Sequence, residues 1–201
     1  MAASLLPQVV LQFAGKNPDT LLEIHEGPHL DLTSRLRSGG LDLVVGRLGR
    51  PDTMQGLSFR QLYTEEVVVV TAPHSPAVGV GDFHALDAFQ VLYPPRDSAI
   101  RPLVARLLIA KGVPLFRNRI ESASSAFGRA VTLADPRTVW FISQGVVAAD
   151  LAEGHLVALP LEMGPTRGEV GVMTRAEEVT SPAARAFVRG LERSLALPEP
   201  D

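Results

Sequence analysis

The chain has 201 residues, 46% hydrophobic and 20% charged, the balance of one folded domain or two small lobes able to bury roughly 70% of the unfolded surface without a staple. It contains no cysteine, which excludes disulfides, thiol catalysis and Cys-based zinc or iron–sulfur centres and fits a reducing, cytoplasmic compartment. A net charge of −3 without a Lys/Arg run offers no nucleic-acid footprint, no apolar stretch nears the ~18 residues that span a bilayer, and "MAASLLPQVVLQF" lacks the basic start of a signal peptide.

Leu5, Leu6, Val9, Val10 and Phe13 recur at helical spacing, with Ser4 as cap and Gly15 and Pro18 as the stop. "TLLEIHE" (20–26) reads as a strand closed by Gly27-Pro28. A second helix spans about 29–38, with Leu32 and Leu36 inward and Gly39-Gly40 ending it. "LDLVVG" (41–46) is a short run of the buried-strand type. "GLSFRQLY" and "EEVVVVTA" are two more strands with a turn near Thr64, the four valines placing the second mid-sheet.

"APHSPAVGVGD" (72–82) is rich in Pro and Gly without periodicity and reads as a crossover between lobes. A new series follows: strand 89–94, helix 98–111 capped by Ser98, strand 118–122, helix 124–133, strand 138–143, helix 144–152 ended by Gly154, and strands 156–161 and 169–175. A last helix runs from Ser181-Pro182 to about 196, with Ala186, Phe187, Leu191 and Leu195 as its apolar side. Trp140, the only tryptophan, is expected in the core. Strands alternating with helices argue for parallel sheet in two α/β lobes.

"HEGPH" (25–29) matches the H-E-x-x-H zinc-protease pattern, which works only where a continuous helix puts both histidines on one face. Here His25 closes a predicted strand and Gly27-Pro28 interrupts any helix. No downstream third ligand completes the set, so no metal site is expected. The place is still suggestive, because His29 falls in the first turn of a helix, whose unpaired N–H groups attract anions.

The stretch "NPDTLLEIHEGPHLDLTSRLRSGGLDLVVGRLG" (17–49), followed by "LYTEEVVVVTAPHSP" (62–76), "VLYP", "GHLVALPL" and "VGVMTR", resembles the effector-binding domain of LysR-type transcriptional regulators over nearly the whole chain. "GRLGRPDTMQGLSF" (46–59) is further similar to the pca-operon and galactose-binding-protein regulator subgroup. The resemblance implies two Rossmann-like lobes of the type-2 periplasmic-binding-protein kind. Lobe I would comprise residues 1–71 plus 173–201 and lobe II residues 72–172, with an effector in the cleft. The family's DNA-binding winged helix-turn-helix and the strand before the first helix do not appear in the sequence. Operator binding is therefore expected only through that further domain, and unpaired sheet edges are expected in lobe I.

By motif position the resemblance places His29 and the 46–48 turn with Arg47 at the effector in lobe I. In lobe II it places Pro94, Pro95, Arg96, Asp97, Ser98 and Arg101 after "LYP", and Ser124, Ser125, Ile142 and Ser143 at other strand ends. A small carboxylate suits such a set, with hydroxyls and helix N–H groups as donors and an arginine as bidentate clamp. Plainer roles stand beside these: Ser98 as an N-cap, Arg101 facing solvent or paired with Asp97, and Arg47 as a surface loop cation.

The leading expectation is a ligand-sensing regulatory domain that dimerises or tetramerises through lobe I. Its effector would be an aromatic-catabolite carboxylate or a sugar, with no cofactor and no membrane partner. A transport-type solute-binding protein of the same fold is the alternative. An enzyme is not expected, since no G-x-S-x-G, P-loop, dinucleotide fingerprint or acid–base pair is found.

Overall fold

The computed structural model describes residues 5–196. It divides into two compact units, one joining the chain up to Thr64 with the chain from Glu169 onward, the other spanning Glu65–Gly168.

The first unit opens with α1 (Leu5–Lys16). Val9 and Phe13 are buried, as their spacing requires, and the predicted cap Ser4 lies outside the described residues. The helix runs through Gly15 and ends where the Asn17 side chain donates to the Phe13 carbonyl at 2.8 Å. α2 (His29–Arg37) follows. It ends at Gly39, whose φ of 79° is open to glycine at little cost. Then come β1 (Val44–Arg47) and β2 (Leu57–Glu65).

Residues 20–26 do not form the expected strand. They carry no ladder, and Leu21 and Ile24 are 84% and 58% exposed. A β-favouring composition makes a strand only where a neighbour takes up its backbone groups, and no described strand lies beside this segment.

The second unit begins with β3 (Val67–Thr71) and β4 (Gln90–Tyr93). It continues with α3 (Arg101–Ala110), β5 (Arg119–Glu121), α4 (Ser125–Ala134), β6 (Thr138–Ser143), α5 (Ala148–Ala152) and β7 (Val157–Ala158). The chain then returns to the first unit through β8 (Gly168–Arg175) and α6 (Pro182–Ala196). The predicted helix over 144–152 is a 3-10 turn, Gln144–Val146, followed by α5. Of the predicted strand 156–161, only Val157–Ala158 is a strand, paired with β3, and the Leu159 N–H donates to the Val69 carbonyl just beyond it at 2.8 Å.

The division falls earlier than the 71/72 and 172/173 boundaries read from the sequence. β3 pairs with β6, so all of it, and the Pro/Gly-rich stretch 72–82 after it, belongs to the second unit. Ser75 and Ala77 within that stretch are buried: there the prolines and glycines shape turns packed in the unit and do not form a link.

In the first unit the sheet order is β1-β8-β2, with β1 antiparallel to β8 and Val44 opposite Met173. Alternation along β8 divides the core between its faces. Val172 joins Val9, Phe13, Phe187 and Leu191 from α1 and α6, while Met173 joins Leu36 of α2 and Val44. The Phe13 and Phe187 rings meet edge to face at 5.4 Å. Arg175 donates to the Leu36 and Leu41 carbonyls at 2.8 and 2.6 Å, which secures the C-terminal end of α2. Leu195, expected on the apolar side of α6, is exposed.

The sheet of the second unit has the order β5-β4-β6-β3-β7. It is mixed where a parallel sheet was expected: β4 is parallel to β5 and β6, and β3 is antiparallel to β6 and β7. Both faces are covered, which is why its strands read as unbroken apolar runs. Val69, Val91, Tyr93 and Phe141 meet Val104 and Leu107 of α3 on one face. Val70, Leu92 and Trp140 face Val131 of α4 and Leu151 of α5 on the other. Trp140 is a core residue, as expected, and Gly128 of α4 lies against its ring. The edges are blunted: β5 carries Arg119 and Glu121, and β7 is two residues long.

Candidate functional site

Parallel pairing brings the carboxyl ends of β4, β5 and β6 to one edge of the second unit's sheet. Tyr93 stands opposite Glu121, and Leu92 opposite Trp140. The order reverses at β4, with β5 on one side and β6 on the other. In open α/β sheets, ligands bind beyond strand ends at such a reversal. Pro94, Pro95, Arg96, Asp97 and Ser98 follow β4, Ser124 and Ser125 follow β5, and Ser143 ends β6. The topology thus brings eight residues predicted from sequence along one rim.

Their roles within the rim differ. Pro94 is buried and Pro95 half-buried, while Arg96 and Asp97 are exposed at the tip of the loop. Arg96 forms no ion pair among the described residues, so its guanidinium faces outward. Ser98 is not the cap of α3. That helix starts at Arg101, and Ser98 Oγ accepts from the Ile100 N–H at 3.4 Å, because the chain makes a turn before entering the helix. Ser124 does cap α4, its Oγ accepting from the Phe127 N–H at 3.2 Å. Ser143 is buried.

Arg101 neither faces solvent nor pairs with Asp97. Its side chain is 17% exposed, and the guanidinium donates to the Pro94 carbonyl at 2.6 Å and to Glu121 at 3.1 Å. It also lies 4.6 Å from the centre of the Tyr93 ring. Glu121 accepts from Arg119 at 3.0 Å too, and the hydrogen bond from Arg119, then that from Arg101, holds its carboxyl below the usual range. Burial raises the Tyr93 phenol. Arg101 therefore anchors the 94–100 loop to β5. Glu121 and Tyr93, its partners, carried no local signal in the sequence.

In the first unit, His29 opens α2 and His25 lies in the unpaired extended segment, so the two do not share a helical face. His29 Nε2 is 3.4 Å from Thr53 Oγ1. Arg37 donates to the Gln55 carbonyl at 2.8 Å and to the Thr53 carbonyl, drawing the 53–55 loop toward α2. Burial first, then the Arg37 charge, lowers the His29 pKa, so the ring is neutral at pH 7. Folding disfavours its protonation: the stability this supplies is complete above the ordinary imidazole range and is lost as pH falls through the lowered value. Arg47 is no surface loop cation. It ends β1 opposite Val170 and is buried. Gly49 was not anticipated, yet a Cβ there would collide with the His29 ring and Thr53 Oγ1. Gly49→Ala is expected to displace the imidazole and to bring the His29 pKa back toward 6.5, as a proton NMR titration of the ring would show; an unchanged titration would refute that packing role.

Residues 1–196 match the model of the LysR substrate binding domain. The chain belongs to this family. PcaQ of Agrobacterium fabrum, an HTH-type transcriptional regulator, is 44% identical over 181 residues, covering 88% of this chain and 57% of PcaQ. YdcI of Escherichia coli, another HTH-type regulator, is 28% identical over 197 residues, covering 96% of this chain and 63% of YdcI. The LysR-family chain thus spans little more than half the length of these relatives. Among solved structures, the CcmR regulatory domain of Synechocystis in complex with 2-PG aligns with a TM-score of 0.80 at 18% identity, covering 96% of this chain and 91% of that one. The effector-binding domain of QuiR in complex with shikimate aligns at 0.74 and 18% identity, with the same coverage. These likenesses, with the two α/β units, carry the type-2 periplasmic-binding-protein-like fold expected from the sequence.

Proposed function

We propose that this chain is the effector-sensing part of a cytoplasmic LysR-type transcriptional regulator, and that its effector is a small carboxylate. The observation that supports this reading is the rim of the second unit. Hydroxyls of Ser98 and Ser124, the N-terminal N–H groups of α4 and the outward guanidinium of Arg96 stand along one sheet edge, at a reversal of strand order. Arg96 supplies the bidentate clamp. Arg101 acts through the loop it anchors. PcaQ, QuiR and CcmR are regulators or regulatory domains, and the shikimate bound to QuiR is one instance of the ligand size proposed. In the whole protein, a homodimer or homotetramer would pass the effector-induced population shift to DNA-binding domains.

A thermal-shift screen tests the reading. Protocatechuate and cis,cis-muconate are set against galactose and arabinose. A ligand of the folded state alone adds about 2.7 kcal/mol at a hundredfold excess over Kd. Stabilisation by a carboxylate, lost in Arg96→Ala/Ser98→Ala, is the expected result. Stabilisation by the sugars alone, or a carboxylate effect unchanged in that double variant, overturns it.

A further inference from the structure

The two sheets end in four edge strands, and three of these are short: β1 has four residues, β5 three and β7 two. Short edges resist pairing with another chain. β2 is different. With nine residues it is the longest strand among those described, and it forms the outer edge of the first unit's sheet. It contains neither proline nor lysine, the residues that commonly guard an edge. Its two charges are engaged within the chain: Arg60 pairs with Glu192 at 2.5 Å, and Glu65 accepts from the Gly145 N–H at 3.0 Å. None of its nine residues is buried.

The backbone of β2 has a definite direction. The Gly56 carbonyl accepts from the Ala176 N–H at 3.0 Å, and the Arg60 carbonyl lies against Gly171 of β8. Even-numbered residues thus turn their backbone groups toward β8. Alternation along the strand turns those of Phe59 and Gln61 to the open side, where they form a template for another strand. The sequence there, Ser58-Phe59-Arg60-Gln61-Leu62-Tyr63-Thr64, is complementary to itself. Antiparallel pairing about a two-fold axis at Gln61 sets Phe59 against Tyr63 of a second copy, Ser58 against Thr64 and Arg60 against Leu62, each twice. Phe59 and Tyr63 are both half-buried and share one face of the strand, so aromatic pairs form across the junction. Moving the axis to Arg60 would set like charges opposite each other, and moving it to Leu62 would set Phe59 against Glu65.

We propose that the open edge of β2 is an interface for a second copy of this chain, which adds its own β2 antiparallel about Gln61 and continues the three-stranded sheet of one copy into that of the other. The contact is isologous, the same strand on both sides. The choice of a second copy rests on the homo-oligomer proposed above; the surface does not. Gln61 at the axis exchanges both backbone hydrogen bonds with its own counterpart, and the pairing covers the one long edge that the chain leaves open.

The test is sedimentation velocity over a range of concentrations, on the chain, on Gln61→Lys, on Gln61→Glu and on an equimolar mixture of the two variants. Gln61 is exposed, so both variants keep their fold, as unchanged circular dichroism would confirm. The chain is expected to dimerise. Each variant alone faces its own like charge across the axis, and its dimer dissociation constant should rise about tenfold or more. The mixture sets Lys against Glu and should restore the dimer. A dimer as tight in Gln61→Lys as in the parent overturns the surface while leaving the oligomer itself standing. A mixture no tighter than either variant alone also overturns the surface. A chain that stays monomeric at every concentration overturns both.

Discussion

Replacing Arg101 with Ala is expected to destabilise the second unit by about 2 kcal/mol and to weaken effector binding at the same time. The side chain makes two hydrogen bonds, to the Pro94 carbonyl and to Glu121, in a setting that is 17% exposed. Charge-assisted bonds of this kind contribute roughly 1.5–3 kcal/mol when partly shielded. Stacking over Tyr93 at 4.6 Å adds about 0.5–1 kcal/mol. Part of the loss is offset because Glu121 keeps Arg119. Lysine would restore the charge but neither the fork nor the stacking, so Arg101→Lys should recover less than half of the loss. Urea unfolding followed by the fluorescence of Trp140, which lies in the same sheet, measures both variants. A midpoint unmoved in Arg101→Ala would show that the loop is held by other contacts.

The second large effect is expected at Gly171. A Cβ there would overlap the Arg60 carbonyl oxygen and lie 2.7 Å from the Phe59 ring. The obstacle is backbone of the neighbouring strand, which cannot swing aside as a side chain can. Gly171→Ala should therefore cost about 3 kcal/mol, the upper end for overpacking a well-packed site, by forcing β8 away from β2 in a sheet of only three strands. Circular dichroism against temperature and urea would read it. Stability within about 0.5 kcal/mol of the parent, the range of an ordinary surface substitution, would mean that the two strands can separate without penalty. Both variants probe positioning, and neither touches the proposed ligand groups.

Much of this molecule was legible along the chain. Apolar periodicity found six helices and located β3, β4 and β6, because each of these elements buries a face whose pattern is local: Val9 and Phe13 on α1, and the alternation of Val91, Leu92 and Tyr93 between the two faces of the sheet. Motif order pointed to the family. The candidate residues after "LYP" and at Ser124 and Ser143 came from motif position, and the topology brings them to one sheet edge, because loops that follow parallel strands emerge there.

Other features were settled by contacts distant in sequence. "TLLEIHE" has strand composition, yet a strand exists only with a partner, and composition says nothing of partners. Whether β3 belonged to one unit or the other depended on its pairing with β6, some 70 residues on. Arg101 reads equally well as a ligand clamp, a surface cation or an ion-pair partner of Asp97 until β5 brings Glu121 to it. Charge and chemical type are properties of the residue, and the chain alone determined them. Which groups remain free of partners, such as Arg96 on the rim, was decided only in the tertiary structure, because freedom is what is left after the protein's own hydrogen bonds and ion pairs have formed.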